Sequence, residues 1–550
     1  MQRLNPVSIG VSIMAGGLCL TLTGCGGSSS SGAQPAGAGP GSPGTTAPAP
    51  TAPSITTAPA SQTVLAGHTA TFTVVASGSG PLTYQWQDNG TNIPGATGAS
   101  YMTAATTAQN SGSSYQVIVT NSAGSITSNA AILTVTSMPG VTPPPSTLPT
   151  SNTPDFGPNV QIFDPAEPSA NIQAAVDSAF QSQLLSGTAQ FGEQRFVFLF
   201  KPGSYGPLFA NLGYYTTLAG LGLNPDDVSF AKGDMNVDSG WNLGDTANAT
   251  QNFWRSAENM AITPASGTDR WAVSQAAPMR RMHIRGNLTM GPSNQGQGSG
   301  FSSGGFIADS RIDGQVTSGS QQQWYTRDSS MGGWSGGVWN MVFSGVQGAP
   351  VQGFPATNKN TVLATTPVSR EKPYLYIDGS GQYNIFVPSL RVDASGTTWP
   401  NTPGTSIPMS QFYVARPTDK TATLNAALAQ GLNLFFTPGV YQLTETLHVT
   451  TANTIVTGIG FPTLVPNGGV NALMVDDLEG VKISNLLFDA GTVNSPALLT
   501  LGTPGSHVNH AANPSSVQDV FFRIGGAVAG VSTTSLVINS DNTKIGRAHV

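Results

Sequence analysis

Two six-residue stretches decide the fold: Phe200-Lys201-Pro202-Gly203-Ser204-Tyr205 and Phe436-Thr437-Pro438-Gly439-Val440-Tyr441. Each stretch ends an apolar run and places a Pro-Gly turn before a tyrosine. A short amphipathic helix is predicted before both stretches, and a Gly-x-Gly segment follows both. Three matching blocks therefore recur in one order, at 172–175, 200–205 and 218–222, and again at 424–427, 436–441 and 456–460. An internal duplication of this kind is typical of a repeat architecture.

Brief strands at short spacing follow the duplicated blocks, for example 279–284, 305–309 and 481–488. Each strand offers apolar residues that a single rung could not bury, whereas stacked rungs would form a continuous core. We therefore predict an all-β fold with two right-handed parallel β-helices of the pectin-lyase type in tandem. The first is expected over residues 155–415, and the second, truncated, over residues 416–544.

The first 25 residues are expected to be an export signal. Arg3 is followed by an apolar stretch, residues 7–22, that is short and glycine-rich for a membrane span. The stretch ends Leu22-Thr23-Gly24-Cys25, which resembles the bacterial lipobox and implies a diacylglycerol on Cys25. We expect an exported protein, anchored through this lipid at the outer membrane or cell surface. An ordinary secretory signal with an incidental cysteine is the alternative.

Two linkers, residues 26–52 and 137–154, flank a segment of different character. The linkers consist largely of Gly, Ser, Ala, Thr and Pro, so they cannot bury a core and are expected to act as spacers. Residues 53–136 instead show short alternating strands separated by turns, which favours a β-sandwich.

The segment 53–136 resembles the bacterial immunoglobulin-like family. Trp86 stands where that family has a buried core tryptophan, and Tyr115 where it has a corner tyrosine. Ala76 and Val117 occupy the two positions of the usual inter-sheet disulfide, so an apolar pair is expected there. We interpret the segment as a spacer, with weak carbohydrate binding as the alternative.

Composition limits the classes of partner. Only 9% of the 550 residues are charged and the net charge is -6, so there is no basic field for nucleic acid or anionic lipid. A neutral polysaccharide is the better fit. Of the two cysteines, Cys19 lies in the expected signal, so the mature chain has no cysteine pair. We expect a monomer.

Four further motifs carry a resemblance over residues 155 to about 544. The chain is similar here to glycoside hydrolase family 55, the exo-acting β-1,3-glucanases, through segments 252–255, 271–276, 303–309 and 319–327. The resemblance implies hydrolysis of β-1,3-glucan from the non-reducing end with inversion, without a metal or other cofactor. It implies that Gln275 and Ser303 position the attacking water. The structural alternative for both is an amide or hydroxyl ladder between rungs.

Substrate contacts are expected from aromatic and amide side chains of the same segments. An aromatic face matches the C–H face of glucose, which nominates aromatic residues for stacking, although core packing is the alternative for each. Among the glutamines 321–323, ladder or groove positions are expected. The proposed substrate-binding residues are Trp271, Gln322, Trp324 and Tyr325, with Trp339 as a further aromatic candidate.

The carboxylates do not complete the expected machinery. The resemblance implies a general acid from the second helix, beyond the residues present. Asp309, Asp313 and Asp328 are expected at turns or rung edges. The acidic residues of the early second helix, Asp476, Asp477, Glu479 and Asp489, do not match the family's acid motif. Residues 545–550, Ile-Gly-Arg-Ala-His-Val, are interpreted as translated sequencing adapter, so we expect the natural chain to continue after Lys544.

Two other functions remain open from the sequence. A polysaccharide lyase on a similar helix would need clustered aspartates for calcium beside a basic residue, and no such cluster is visible near Arg280, Arg281 or Arg285. A non-catalytic polysaccharide-binding surface protein is compatible with the immunoglobulin-like segment.

Overall fold

The computed structural model describes residues 49–65, 69–103, 106, 110–136, 150–184, 189–238, 248–293, 300–355, 359–526 and 528–549. The expected signal and Cys25 lie outside these residues, as does most of both linkers. The chain divides into two compact units after Met138, and each unit is described by itself. No helix among the residues just given is long and apolar enough to cross a membrane.

The first unit consists of short, mostly antiparallel strands around an aromatic centre. Trp86 is fully buried and its indole N–H donates to the Gly98 carbonyl at 2.9 Å. The rings of Phe72 and Tyr115 stack at 4.6 Å. Val117 belongs to this core, and the partly buried Ala76 packs against it. The strands are β1 Ser54–Thr57, β2 Gln62–Leu65, β3 Thr71–Thr73, β4 Val75–Ser77, β5 Thr83–Asp88, β6 Thr91–Asn92, β7 Ser100–Met102, β8 Ser114–Asn121, β9 Gly124–Thr127 and β10 Ala131–Thr136.

The second unit begins with helix α1, Ser169–Leu184, and a set of parallel strands that we call the first stack. Ile172, Val176 and Ala179 form the buried face of α1, and the Gln173 amide is bonded both ways to the backbone of Phe209. The strands are β11 Val160–Phe163, β12 Phe196–Phe200, β13 Gly203–Tyr205, β14 Leu208–Asn211, β15 Thr216–Gly220, β16 Val228–Asn236, β17 Arg255–Pro264, β18 Thr268–Arg270, β19 Pro278–Ile284, β20 Asn287–Thr289, β21 Gly305–Ala308, β22 Arg311–Thr317, β23 Gln323–Arg327, β24 Ser330–Ser335, β25 Asn340–Ser344 and β26 Asn360–Leu363.

A connector of antiparallel strands follows. Its strands are β27 Thr366–Ser369, β28 Tyr374–Ile377, β29 Tyr383–Pro388, β30 Arg391–Ala394 and β31 Gly404–Pro408. Parallel pairing in the first stack ends at β26. The range 155–415 predicted for a first parallel helix is therefore too long, because its last part pairs in the opposite sense.

The second stack repeats the parallel pattern after helix α2, Thr421–Ala429. Leu424, Ala427 and Leu428 bury the inner face of α2. The strands are β32 Phe412–Ala415, β33 Asn433–Phe436, β34 Val440–Leu443, β35 Leu447–Val449, β36 Ile455–Gly458, β37 Thr463–Pro466, β38 Leu473–Val475, β39 Lys482–Asp489, β40 Ser495–Leu501, β41 Ser516–Arg523, β42 Ser532–Ile538 and β43 Lys544–His549.

The duplicated stretches form the same clamp in both stacks. The Tyr205 hydroxyl donates to the carbonyls of Phe163 and Lys201 at 2.9 and 2.8 Å. Tyr441 does the same to Ala415 and Thr437, both at 2.9 Å. A Cβ on Gly203 would lie 2.3 Å from a proline ring, and one on Gly439 2.2 Å, so only glycine fits the turn.

Left-handed residues mark one corner of successive rungs. Asn259, Arg281, Asp309 and Asp328 have φ of 48–55°. This region is uncommon for residues other than glycine, and Asn and Asp are among those that tolerate it best. Asp309 and Asp328 therefore lie at rung corners, as predicted.

The two stacks pack side by side. Val197 and Leu199 of the first stack share a hydrophobic cluster with Phe435 and Ile455 of the second. Buried Arg195 crosses the boundary and donates to the Phe461 carbonyl at 3.0 Å. Burial of this apolar surface and of the arginine fixes the second stack beside the first.

Candidate functional site

A groove of about 260 Å³ opens on the first stack where β21, β23 and β25 run side by side. Its floor is aromatic, and amide side chains stand at its sides. We call it the rung groove. Its lining residues are Gln275, Gly304, Gly305, Phe306, Gln323, Trp324, Tyr325, Asn340 and Val342.

The parallel register explains the apolar floor. Phe306 pairs with Tyr325, and Tyr325 pairs with Val342, so the three side chains stand in one row across neighbouring strands. The rings of Phe306 and Tyr325 lie 5.4 Å apart, close to the spacing of adjacent strands. Phe306 is fully buried and supports the row from beneath, whereas the half-buried Tyr325 and Val342 offer apolar surface on which a sugar ring can lie.

Trp324 forms part of the groove because its strand neighbour is a glycine. Gly305 pairs with Trp324, and a Cβ on Gly305 would lie 2.3 Å from Cζ3 of the indole. The indole is only 3% exposed, so it lines the groove while packing into the core. Its exposed surface is therefore small compared with that of a flat stacking platform.

Gln275 lies in the segment that leads into β19, and the backbone on both sides of it is held firmly. The Ser274 hydroxyl donates to the Ala249 carbonyl at 2.8 Å. Ala276 has a φ of 48°, and its carbonyl accepts the N–H of Trp254, itself left-handed. Residues held in such sparsely populated conformations are concentrated at functional sites. The half-buried Gln275 side chain is thereby directed into the rung groove.

The other predicted site residues are placed differently. Ser303 is half-buried and precedes Gly304 in the chain, but it does not line the rung groove. Gln322 is also outside the lining, and its neighbour Gln323 takes that place. Trp271 is fully buried in the core of the first stack. The prediction that Trp271 contacts substrate is wrong, because no surface of its ring is available to a sugar.

Two further residues of the same segments, Gln321 and Trp339, differ in burial, since the first is buried and the second is exposed. Gln321 is buried, and its amide donates to the carbonyls of Val273 and Met290 at 2.9 and 3.0 Å. It therefore makes a contact between rungs, one of the two placements expected for the glutamines 321–323, and it supports the segment that carries Gln275. Trp339 is 58% exposed and does not line the groove.

A buried network of charged side chains lies beneath the groove. The Arg280 guanidinium stands 4.6 Å from the Phe306 ring and makes a two-bond contact with Asp519 of the second stack, at 2.5 and 2.9 Å. Arg280 also contacts Glu371 of the connector, which Arg327 holds at 2.8 Å. The groove floor is thus tied to both the connector and the second stack.

Protonation in this network follows from the pairing. Burial alone would raise the pKa of Glu371, but Arg280 and Arg327 hold it below its usual value. Burial likewise opposes the charged form of Arg280, yet Asp519 and Glu371 raise the pKa of its guanidinium. Glu371 is therefore an ionised structural partner, without a proton to donate at neutral pH.

None of the residues that line the rung groove is a carboxylic acid. Three of the acidic residues considered from the sequence are engaged elsewhere. Asp309 bonds to Thr398 and Arg281, and its burial raises the pKa to about 6. Asp313 contacts His283 and Arg311. Asp489 pairs with Arg523 at 2.5 Å. Within the part of the chain that the structure describes, no group of three or more His, Cys, Asp or Glu could hold a metal ion.

An aromatic cluster between the stacks was not anticipated. Trp254 stacks on Tyr215 at 6.0 Å and meets Phe521 of the second stack edge-on at 5.9 Å. Ala276, the neighbour of Gln275, belongs to the same cluster. The sequence signal nearest to it is the segment 252–255, one of the four segments that carry the family resemblance.

Comparisons with known proteins cover the second unit. Residues 412–547 match the family model of the LAM55 pectate lyase-like domain. An exo-β-1,3-glucanase of Streptomyces sp. SirexAA-E is 55% identical over 398 residues, which are 72% of this chain and 63% of that protein. The chain thus spans 63% of the length of this curated relative.

Two solved structures from the same organism also resemble the chain. The structure of Lam55A shares 54% identity with a TM-score of 0.68, and the match covers 72% of this chain and 70% of that one. A glutamate-to-alanine variant of Lam55A in complex with glucose shares 53% identity with a TM-score of 0.69, covering 73% and 71%.

Proposed function

Because this chain belongs to glycoside hydrolase family 55, we propose that the protein acts on β-1,3-glucan and removes glucose from the non-reducing end with inversion. The single observation that carries the proposal is the rung groove, in which Gln275 faces a row of apolar and aromatic side chains. The family relationship supplies the substrate class, since the related protein is an exo-β-1,3-glucanase.

In this proposal the groove binds the sugar and Gln275 positions water. Inversion requires a water molecule on the face of the sugar opposite the leaving oxygen. A glutamine amide offers one acceptor and two donors, so it can hold water and a sugar hydroxyl together. The half-buried Tyr325 would lie against the C–H face of the ring. Ser303 is not in the lining, so any effect it has on this water would act through Gly304.

We further propose that the proton donor is not among residues 155–544. The supporting observation is that every groove-lining side chain lacks a carboxyl group, while arginine holds Glu371 ionised and Asp519 is paired with Arg280. Loss of general-acid help lowers the rate by about 10²–10⁴-fold. The same observation favours a second candidate function for the chain as it stands, namely non-catalytic polysaccharide binding.

The remaining parts of the chain complete the proposal. The two stacks would be parallel β-helices in tandem, with the immunoglobulin-like segment 53–136 as a spacer and a lipid on Cys25 as the anchor. In this arrangement the antiparallel connector would be an inserted sheet that joins two separate helices. Deleting residues 53–136 should leave hydrolysis or binding of soluble glucan unchanged, and a large loss would contradict the spacer role.

The proposal is tested by binding and by turnover on laminarin. Gln275→Ala and the matched control Gln315→Ala, an exposed glutamine on the outer side of the same stack, are compared by calorimetry with a laminari-oligosaccharide. We expect weak binding that Gln275→Ala reduces and the control leaves intact. Equal affinities for all three proteins would place the glucan site outside the rung groove.

Glucose release separates the two candidate functions. The chain of 550 residues should release glucose from laminarin negligibly, and a full-length protein with the natural continuation after Lys544 should release it with inversion. In that longer protein Gln275→Ala should lower kcat more than it raises KM, because a group that orients water acts mainly in the transition state. Substantial turnover by the chain itself would mean that the acid lies within residues 155–544.

A further inference from the structure

A second polar cavity, of about 250 Å³, lies where the connector meets the second stack. Strands β29 and β31 of the connector form one side, and the starts of β36 and β39, with the loop before β41, form the other. We call it the connector pocket. It shares no lining residue with the rung groove, so it is a separate site. Its polar lining comprises Arg370, Ser389, Thr405, Asn453, Lys482 and Asn513.

Lys482 brings a positive charge to this pocket. The side chain is buried, with 5% of the residue exposed, and its ammonium donates to the Gly480 carbonyl at 2.5 Å. No carboxylate among the described residues lies within 4.0 Å of it. Burial, and then the charge of Arg370, lower the pKa of Lys482 to about 7, although Glu479 acts weakly in the other direction.

Arg370 brings a second charge. Its guanidinium reaches the Pro514 carbonyl at 3.3 Å and the Asn513 side-chain oxygen at 3.2 Å, both long for bonds from a charged donor. Its buried Nε–H has no partner in the structure. Burial lowers the pKa of this guanidinium too. The planar donor edge of Arg370 is therefore only partly used by the protein.

A buried lysine beside a half-buried arginine is costly to keep charged without an anion. A buried charge normally has a partner of opposite sign. Lys372 shows the usual arrangement in the same molecule, since it is equally buried and contacts both Glu258 and Asp519. The lining of the connector pocket includes the cationic side chains Arg370 and Lys482, but no carboxylate that could pair with them.

We propose that the connector pocket binds a small oxyanion, a carboxylate or phosphate group, between Arg370 and Lys482. The planar guanidinium of Arg370 can donate to two oxygens of one such group. The Lys482 ammonium can make a third contact as a point charge. Asn453 and Asn513, which are bonded to each other at 2.8 Å, would add neutral donors at the rim. A volume of 250 Å³ holds an oxyanion with several waters, each of which occupies about 30 Å³.

The test is calorimetric titration of the whole chain with inorganic phosphate in a buffer of constant ionic strength. We expect saturable binding that Lys482→Met and Arg370→Met each weaken at least tenfold. Lys420→Met, which removes an exposed lysine at the start of α2, is the matched control and should bind phosphate like the parent. Titration with glucuronate and with glucose distinguishes a carboxylate sugar from inorganic phosphate, and neutral glucose should not compete.

The results decide the matter in either direction. Absence of phosphate and glucuronate binding, or binding that survives both methionine variants, would overturn the proposal. Replacing buried Lys482 or half-buried Arg370, neither of which has a carboxylate partner within 4.0 Å in the described part of the chain, with methionine should not unfold the protein, and Arg370→Lys provides a second variant that keeps the charge while losing the planar guanidinium. Laminari-oligosaccharide binding should be unchanged in all variants, so failure of this proposal and failure of the glucan proposal are distinguishable.

Discussion

The contact between Gly305 and Trp324 gives the sharpest prediction. In Gly305→Ala the new methyl group would lie 2.3 Å from Cζ3 and 2.4 Å from Cη2 of the indole, well inside contact distance. The indole is only 3% exposed and is packed in the core of the first stack, so it has little room to swing aside. Overpacking of this kind costs about 1–3 kcal/mol. We expect a loss of stability in that range.

The substitution should also change the rung groove. Any movement of Trp324 away from Gly305 alters the surface that lines the groove, so affinity for laminari-oligosaccharide should fall together with stability. Unfolding in denaturant can be followed by tryptophan fluorescence, because seven of the eight tryptophans lie beyond residue 138. Calorimetry gives the affinity.

Two controls make the result decisive. Gly379→Ala introduces a methyl group with no atom within 4 Å and should be nearly neutral. Combining Gly305→Ala with Trp324→Leu should cost less than the sum of the two single changes, since the clash disappears. The reasoning is refuted if Gly305→Ala stays within about 0.5 kcal/mol of Gly379→Ala, the usual range for an innocuous surface change.

Three other predictions rest on buried polar groups. Arg280→Met should cost about 3–5 kcal/mol in denaturant unfolding, because buried Asp519 loses its two-bond partner and keeps only a contact to Lys372 at 3.5 Å, while Glu371 keeps only Arg327; Arg311→Met at an exposed ion pair should cost at most about 1 kcal/mol. Lys482 has its pKa lowered to about 7, so the unfolded chain binds more protons from pH 7 to about 10.5 and stability should rise with pH across that window. Lys482→Met should therefore be more stable than the parent at pH 6.5 without oxyanion, with an advantage that shrinks by pH 9. Tyr205→Phe and Tyr441→Phe should each cost about 1–3 kcal/mol in denaturant unfolding, and a cost in only one of them would show that the clamps are not equivalent.

The repeated architecture was predictable because its signals are local. The Pro-Gly turns at Gly203 and Gly439 are visible in the sequence, whereas the close approach of Pro165 and Pro417, which requires glycine there, is visible only in the structure. The left-handed corners at Asp309 and Asp328 were predictable for the same reason, since short polar side chains tolerate this conformation.

The site was less predictable because side-chain direction changes at every corner of a rung. Alternation places residues i and i+2 on one face only within an unbroken strand. Trp271 follows β18 at such an interruption, and it points into the core instead of the groove. The partners of Arg280 lie 91 and 239 residues away in the chain, a separation for which a single sequence offers no signal.

The two tyrosine clamps bear on how the chain folds. Tyr205 closes onto a carbonyl 42 residues earlier and Tyr441 onto one 26 residues earlier, whereas Arg195 meets Phe461 across 266 residues. The entropy lost in closing a loop grows with its length, and distant contacts form late. We therefore expect each stack to begin folding on its own, around its clamp, and the stacks to dock afterwards. In kinetic experiments the two Tyr→Phe variants should slow folding, while Arg195→Met should mainly speed unfolding.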